Sequence, residues 1–161
     1  MNIAELKFSD LIPRHARRAG QMSHPDADVT VAIHAKKGGG TKGTKRTQKA
    51  FACLVIMLRG RTLAALGWKA KDRGWIQANP AEPSIFRIRK TSGDVGNTFQ
   101  DYGTPPNTVL RISFATTVLG LNEHTGYVPS TPADVLLILR DSVTLALPAP
   151  IIVALAEGRK R

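Results

Sequence analysis

A chain of 161 residues and 17.4 kDa accommodates one compact domain, or two very small ones, and can bury a core without disulfides, which excludes a large multidomain enzyme. Apolar residues at 42% and charged residues at 22% are ordinary globular composition. However, 23 Lys and Arg against 12 Asp and Glu leave a net charge of +11, an imbalance that calls for a partner.

From Arg14 to Lys90 there are 17 basic and four acidic residues, a net +13, whereas residues 1–13 and 91–161 each carry −1. The plain reading of such charge is solubility. Its concentration in one contiguous half favours a polyanion, above all nucleic acid, because clustered cations release counterions from a phosphate backbone together. Cys53 is the only cysteine and lies in the apolar run Phe51 to Leu58, so no intramolecular disulfide can form and a buried structural thiol is expected. MNIAELKFSDL carries Glu5 and Asp10 and lacks the apolar segment of a secretory signal, and no apolar run reaches the length of a membrane span. A soluble, cytoplasmic protein without a membrane partner is expected.

Residues 1–28 read as a polar, partly flexible arm, with a short amphipathic stretch from Ile3 to Ile12 stopped by Pro13. Val29, Val31 and Ile33 alternate with Thr30, Ala32 and His34 at the period of a half-buried strand. Residues 36–49, KKGGGTKGTKRTQK, hold six Lys or Arg and four Gly with no acid, the composition of a mobile loop. Ala50 to Leu58 is a buried strand by content. Leu63 and Leu66, three apart around Ala64 and Ala65 and followed by Gly67, predict a short helix ending on a left-handed glycine. A turn at Lys71 and Asp72 precedes a strand of Trp75, Ile76 and Gln77. SIFRIRK returns as a strand with Ile85 and Phe86 inward and Arg87 and Arg89 outward. Residues 91–107 read as a linker. TVLRISF is a strand, and residues 115–132, with Gly120, Gly126, Pro129 and Pro132, a long loop. Val135 to Leu139 and Val143 to Leu147 form a hairpin around Arg140-Asp141-Ser142, and residues 149–161 a short apolar helix or extended tail with a basic tip.

The halves echo one another: each gives an apolar strand, a connection, an Asp four residues before an Ile (Asp72 and Ile76, Asp134 and Ile138), then a hairpin. LRGRTLAALGWKAKDRGWIQANPAEPSIFRIRK, Leu58 to Lys90, resembles the SpoVT-AbrB/MazE swapped-hairpin family in its Arg-x-x-Leu-x-x-Leu-Gly helix followed by an aromatic residue, a turn before Asp and a hairpin. Arg59 or Arg61, Leu63, Leu66, Gly67, Trp68 and Asp72 stand at the family's places. Met57-Leu58 replaces the usual Ile-Pro, and Arg73-Gly74 the usual apolar strand opener. The resemblance implies a mainly β fold with one or two short helices, an AbrB-like swapped-hairpin barrel of two interleaved hairpin units, normally one from each subunit of a dimer. With the echo, this chain supplies both units as a fused pseudo-dimer, the first over 50–90 and a degenerate second, without the helix, over 108–148, within one β-rich domain spanning 29–148.

For chemistry, GGGTKGTK offers Gly43-Thr44-Lys45 in place of Gly-Lys-Thr and has no strand-to-helix frame, so a phosphate-binding P-loop is not indicated. A hairpin tip that lies along nucleic-acid phosphates fits better, with Lys36, Lys37, Lys42, Lys45, Arg46 and Lys49 as contacts. Around the helix, the resemblance assigns a DNA contact to Arg59 or Arg61, and charge adds Lys69, Lys71 and Arg73. Arg46, Arg59 and Arg61 are the candidates for base edges. Trp68 after the helix is expected in the core, and neither tryptophan is expected to stack on bases, since neither lies in the basic loop. His15, His24, His34 and His124 show no metal spacing. Ser113, His124 and Asp134 form a trio that any chain of this length offers, without a nucleophile elbow.

These features point to a bacterial or phage DNA-binding protein, a transcriptional regulator that binds duplex DNA with no catalytic step, cofactor or metal. Alternatives are a protein-interaction module, either a MazE-like antitoxin or a phage inhibitor of a host enzyme, and an RNA-binding protein. A second copy of the chain, a toxin and a host enzyme are the candidate protein partners.

Overall fold

The computed structural model describes residues 26–36, 39–40, 47–48, 51–103, 107–115 and 125–159. Its framework begins with β1 (Val29–Lys36), β2 (Gly39–Gly40), β3 (Thr47–Gln48) and β4 (Phe51–Leu58). β1 and β4 pair antiparallel from Val29↔Leu58 to Lys36↔Phe51, and Gly39↔Gln48 and Gly40↔Thr47 keep the same register. The segment expected as a loop over 36–49 therefore contains paired strand residues, Gly39–Gly40 against Thr47–Gln48.

α1 (Gly60–Leu66) follows β4 and ends as expected: Gly67 is left-handed (φ 62°) and its N–H donates to the Leu63 carbonyl at 3.0 Å. Leu63 and Leu66, one turn apart, are buried, as is Trp68, which lies at a tilt 5.1 Å from Phe99 and donates its indole N–H to the Arg140 carbonyl at 3.4 Å. The chain then forms β5 (Arg73–Ala78), β6 (Ile85–Thr91), β7 (Asn97–Thr98), β8 (Gln100–Asp101), β9 (Leu110–Ala115), β10 (Val128–Pro132), β11 (Asp134–Leu139), β12 (Ser142–Ala146) and α2 (Ala149–Arg159).

Two five-stranded antiparallel sheets result, ordered β10-β1-β4-β9-β8 and β11-β12-β6-β5-β7. They share one core, in which Ile33, Ile56 and Ile112 of the first meet Phe86, Ile88 and Leu145 of the second. The chain passes between sheets at single residues: Phe99 separates β7 from β8, and Ala133 separates β10 from β11. Phe99 is buried, receives the Lys71 N–H on its carbonyl and donates its own N–H to Asp72, while Ala133 donates to the Val29 carbonyl. Among the described strands each sheet keeps two edges, so the expected barrel is not closed. Its corners are joined by chain rather than by ladder hydrogen bonds.

Several local expectations change. Residues 91–107 are no plain linker, since they hold β7, β8 and the buried Phe99. The expected long loop over 115–132 ends in β10, whose Pro129 and Pro132 are tolerated because β10 is an edge strand paired only with β1. β1 is buried from Val29 to Ile33, not on alternate residues, with α2 packed against it and against β10. The C-terminal segment is the helix α2, with Ile151 and Leu155 buried four apart on one face. In β6, Phe86 and Ile88 point inward and Ile85 is half-buried, because the strand's phase follows its partner β12. Cys53 is half-buried rather than enclosed.

The echo has a counterpart in the pairing. β4 lies beside its counterpart β9, and the hairpins β5–β6 and β11–β12 meet through the counterparts β6 and β12, with β5 and β11 to the outside.

Candidate nucleic-acid interface

Lys36 ends β1 at one end of the β1–β4 pair, and α1 follows Leu58 at the other, roughly 25 Å away along β4 at the rise of a strand. Of the single basic face expected from the sequence, the described residues hold Lys36 and the part around α1. Lys36 ends β1 opposite Phe51, and Lys37, Lys42, Lys45, Arg46 and Lys49 lie outside the described residues.

Around α1 the five cations divide by what holds them. Arg59 precedes the helix, half-buried: one Nη donates to Thr30 Oγ1 at 3.5 Å, and its Nε is buried without a hydrogen-bond partner. That guanidinium is tied into the wall of the fold. Arg61 is its opposite, with a side chain 97% exposed and only a 3.8 Å surface contact to Asp28. Lys69 and Lys71 are exposed. Arg73 is committed elsewhere, donating to the Asp94 and Gly96 carbonyls at 3.0 and 3.2 Å, with the Asp94 carboxylate at 3.9 Å. Arg61, Lys69 and Lys71 are thus the described cations of this set left facing solvent. A cleft of about 680 Å³ runs under α1, with Asp28 and Arg59 at one end of the helix and Trp68, Lys69 and Thr108 toward the other.

Asp72 fixes the turn that presents the lysines. It accepts the Lys69 backbone N–H at 2.9 Å and Lys90 Nζ at 2.7 Å. Partial burial alone would raise its pKa, but the hydrogen bonds from Lys90 and Lys69, with the charges of the same two residues, hold it below the usual carboxylate range.

One arrangement is not apparent from the sequence. On the outer face of the second sheet, β5 and β6 place Trp75 opposite Arg89 and Gln77 opposite Arg87. Trp75 is 49% exposed, and Gln77, Arg87 and Arg89 are exposed as well. Arg87 Nε donates to Thr144 Oγ1 at 3.4 Å across β12, and Arg89 Nε lies 3.4 Å from the Asp141 carboxylate. The signal is present as Trp-x-Gln and Arg-x-Arg at strand period, but the register that joins them is nonlocal. At the sheet's far edge, β11 exposes Leu136, Leu137 and Leu139.

His34 and Cys53 stand opposite one another on β1 and β4. Burial and then the charge of Arg111 lower the His34 pKa, whereas burial, partly offset by Arg111, raises that of Cys53. Both groups are driven toward their neutral forms, the reverse of an activated thiolate–imidazolium pair. No group of three or more potential metal ligands occurs among the described residues, and no described helix is long and apolar enough to cross a membrane.

No protein-family model matches the chain, and neither a curated protein nor a solved structure shows significant similarity to it.

Proposed function

We propose that this chain binds duplex DNA, as a bacterial or phage transcriptional regulator, through the lysine- and arginine-rich segment 36–49 and the exposed cations at the ends of α1. The observation that carries the reading is the +13 over residues 14–90 together with Arg61, Lys69 and Lys71, which stay in solvent around a short helix while Arg59 and Arg73 are engaged inside the fold. In this reading lysines supply affinity through phosphates, and Arg61 and Arg46 read base edges. The pairing of β4 with β9 and of β6 with β12 supports the swapped-hairpin reading, with both units in one chain.

Titration of a labelled duplex at several salt concentrations tests the proposal. The triple variant Arg61→Ala, Lys69→Ala, Lys71→Ala should flatten the slope of log K against log salt by about one for each phosphate no longer neutralised. Lys42→Ala, Lys45→Ala, Arg46→Ala should weaken binding uniformly across sequences. Absence of binding at low salt, or binding indifferent to salt, overturns it. The exposed leucines of β11 favour a second reading, a protein-interaction module, for which the same variants would leave partner binding intact.

A further inference from the structure

We propose that the outer face of the second sheet is a binding surface for single-stranded nucleic acid, with Trp75 as the platform on which an unpaired base stacks and Arg87 and Arg89 as its phosphate contacts. This surface is distinct from the duplex contacts above and stands or falls independently of them.

Burial decides what each tryptophan can do. Trp68 is 5% exposed and spends its indole N–H on the Arg140 carbonyl, so it belongs to the core. Trp75 has half its surface in water on a sheet face that the described residues leave open, and an exposed aromatic ring gains by packing against a partner. Three arginines and Gln77 are its neighbours on this face. Arg89 is directly across the ladder, Arg87 diagonal to it, and Arg73 two residues before it on the same strand. Direct and diagonal cross-strand neighbours lie about 5 and 7–8 Å away, within reach of a nucleotide stacked on the ring.

The arginines are oriented without being used up. Arg87 gives one donor to Thr144, and Arg89 meets Asp141 only through Nε in a pair whose side chains are more than half exposed. A guanidinium carries five N–H donors, so each keeps its outer pair for a phosphate, and an exposed ion pair yields readily to one. Access along the strand is open too. β7 pairs with β5 at Arg73 and Gly74, and among the described residues no strand pairs with Trp75 to Ala78 on that side. An aromatic ring on a sheet flanked by cations matches the unpaired base with its charged backbone, since duplex bases present no face to stack upon.

The test uses the full chain and a labelled (dT)20 oligonucleotide, an abasic deoxyribose-phosphate oligomer of equal length, and polyglutamate. Wild type should bind (dT)20 with quenching of tryptophan emission and bind the abasic oligomer more weakly, by roughly 5- to 100-fold, the range for removal of one stacked base. Trp75→Leu, which keeps an apolar strand former at an exposed site, should lose that preference and the quenching while its duplex titration is unchanged. Arg87→Gln with Arg89→Gln should flatten the salt slope for (dT)20 by about 0.7 for each phosphate no longer neutralised. Equal affinity of wild type for (dT)20 and the abasic oligomer overturns the proposal. So does unchanged (dT)20 binding by Trp75→Leu, or competition by polyglutamate as effective as that by (dT)20, which would mark an acidic protein partner instead. Loss of duplex binding with (dT)20 binding retained would overturn only the duplex reading.

Discussion

Lys71 has a left-handed backbone (φ 75°), where a side chain is unfavourable by about 1–2 kcal/mol, and its N–H is held by the Phe99 carbonyl. The conformation turns an exposed ammonium out of the fold beside Lys69. Lys71→Gly removes the strain at some cost in unfolded-state entropy and should raise stability by about 0.5 kcal/mol in denaturant titration, while weakening duplex binding. Asp72, next to it, carries a pH signature. Its pKa is lowered in the fold, so its stabilisation is complete above the ordinary carboxylate range and disappears as the pH falls through that range to the lowered value. Asp72→Asn should cost about 1 kcal/mol at neutral pH, and thermal melts of the two proteins should converge in acid. None of this was visible in the sequence beyond a turn at Lys71-Asp72, because the partner that fixes Asp72, Lys90, is 18 residues away.

Among the elements, α1 and the β11–β12 hairpin are the most legible, since their signals are local: leucines one turn apart with a closing glycine, and two apolar runs around Arg140-Asp141. Gly67 makes this testable. A Cβ there meets no atom within 4 Å, so Gly67→Ala carries only the conformational penalty of the left-handed cap, about 1 kcal/mol by chemical denaturation. A larger loss would mean that α1 depends on more than its cap. Other elements were illegible for a common reason. β10 hides between prolines, and β7 and β8 are two residues each, so all three exist because neighbours offer an edge, not because their residues favour strands. The candidate site divides likewise: the surplus of cations could be counted, but which arginines the fold consumes could not.

For the molecule as a whole, the two sheets are held together where the chain crosses between them, and Phe99 occupies one such crossing. Gly74 approaches its ring so closely that a Cβ would lie 2.8 Å from Phe99 Cε2 and 3.1 Å from Ile112 Cδ1. Gly74→Ala should therefore destabilise the whole fold by about 1–3 kcal/mol in a single cooperative transition, since residues of both sheets must give way. Two transitions would show that the sheets unfold separately. What the sequence by itself determined is the excess charge and its confinement to residues 14–90, together with elements whose signals span a turn or a hairpin. Only the tertiary structure decided that Arg59 and Arg73 serve the fold while Arg61 stays in solvent, and that Trp75 faces Arg89 in the open. The reason is physical: turn, cap and period are set within a few residues, whereas strand partners and the burial that follows are set by packing between segments far apart in the chain.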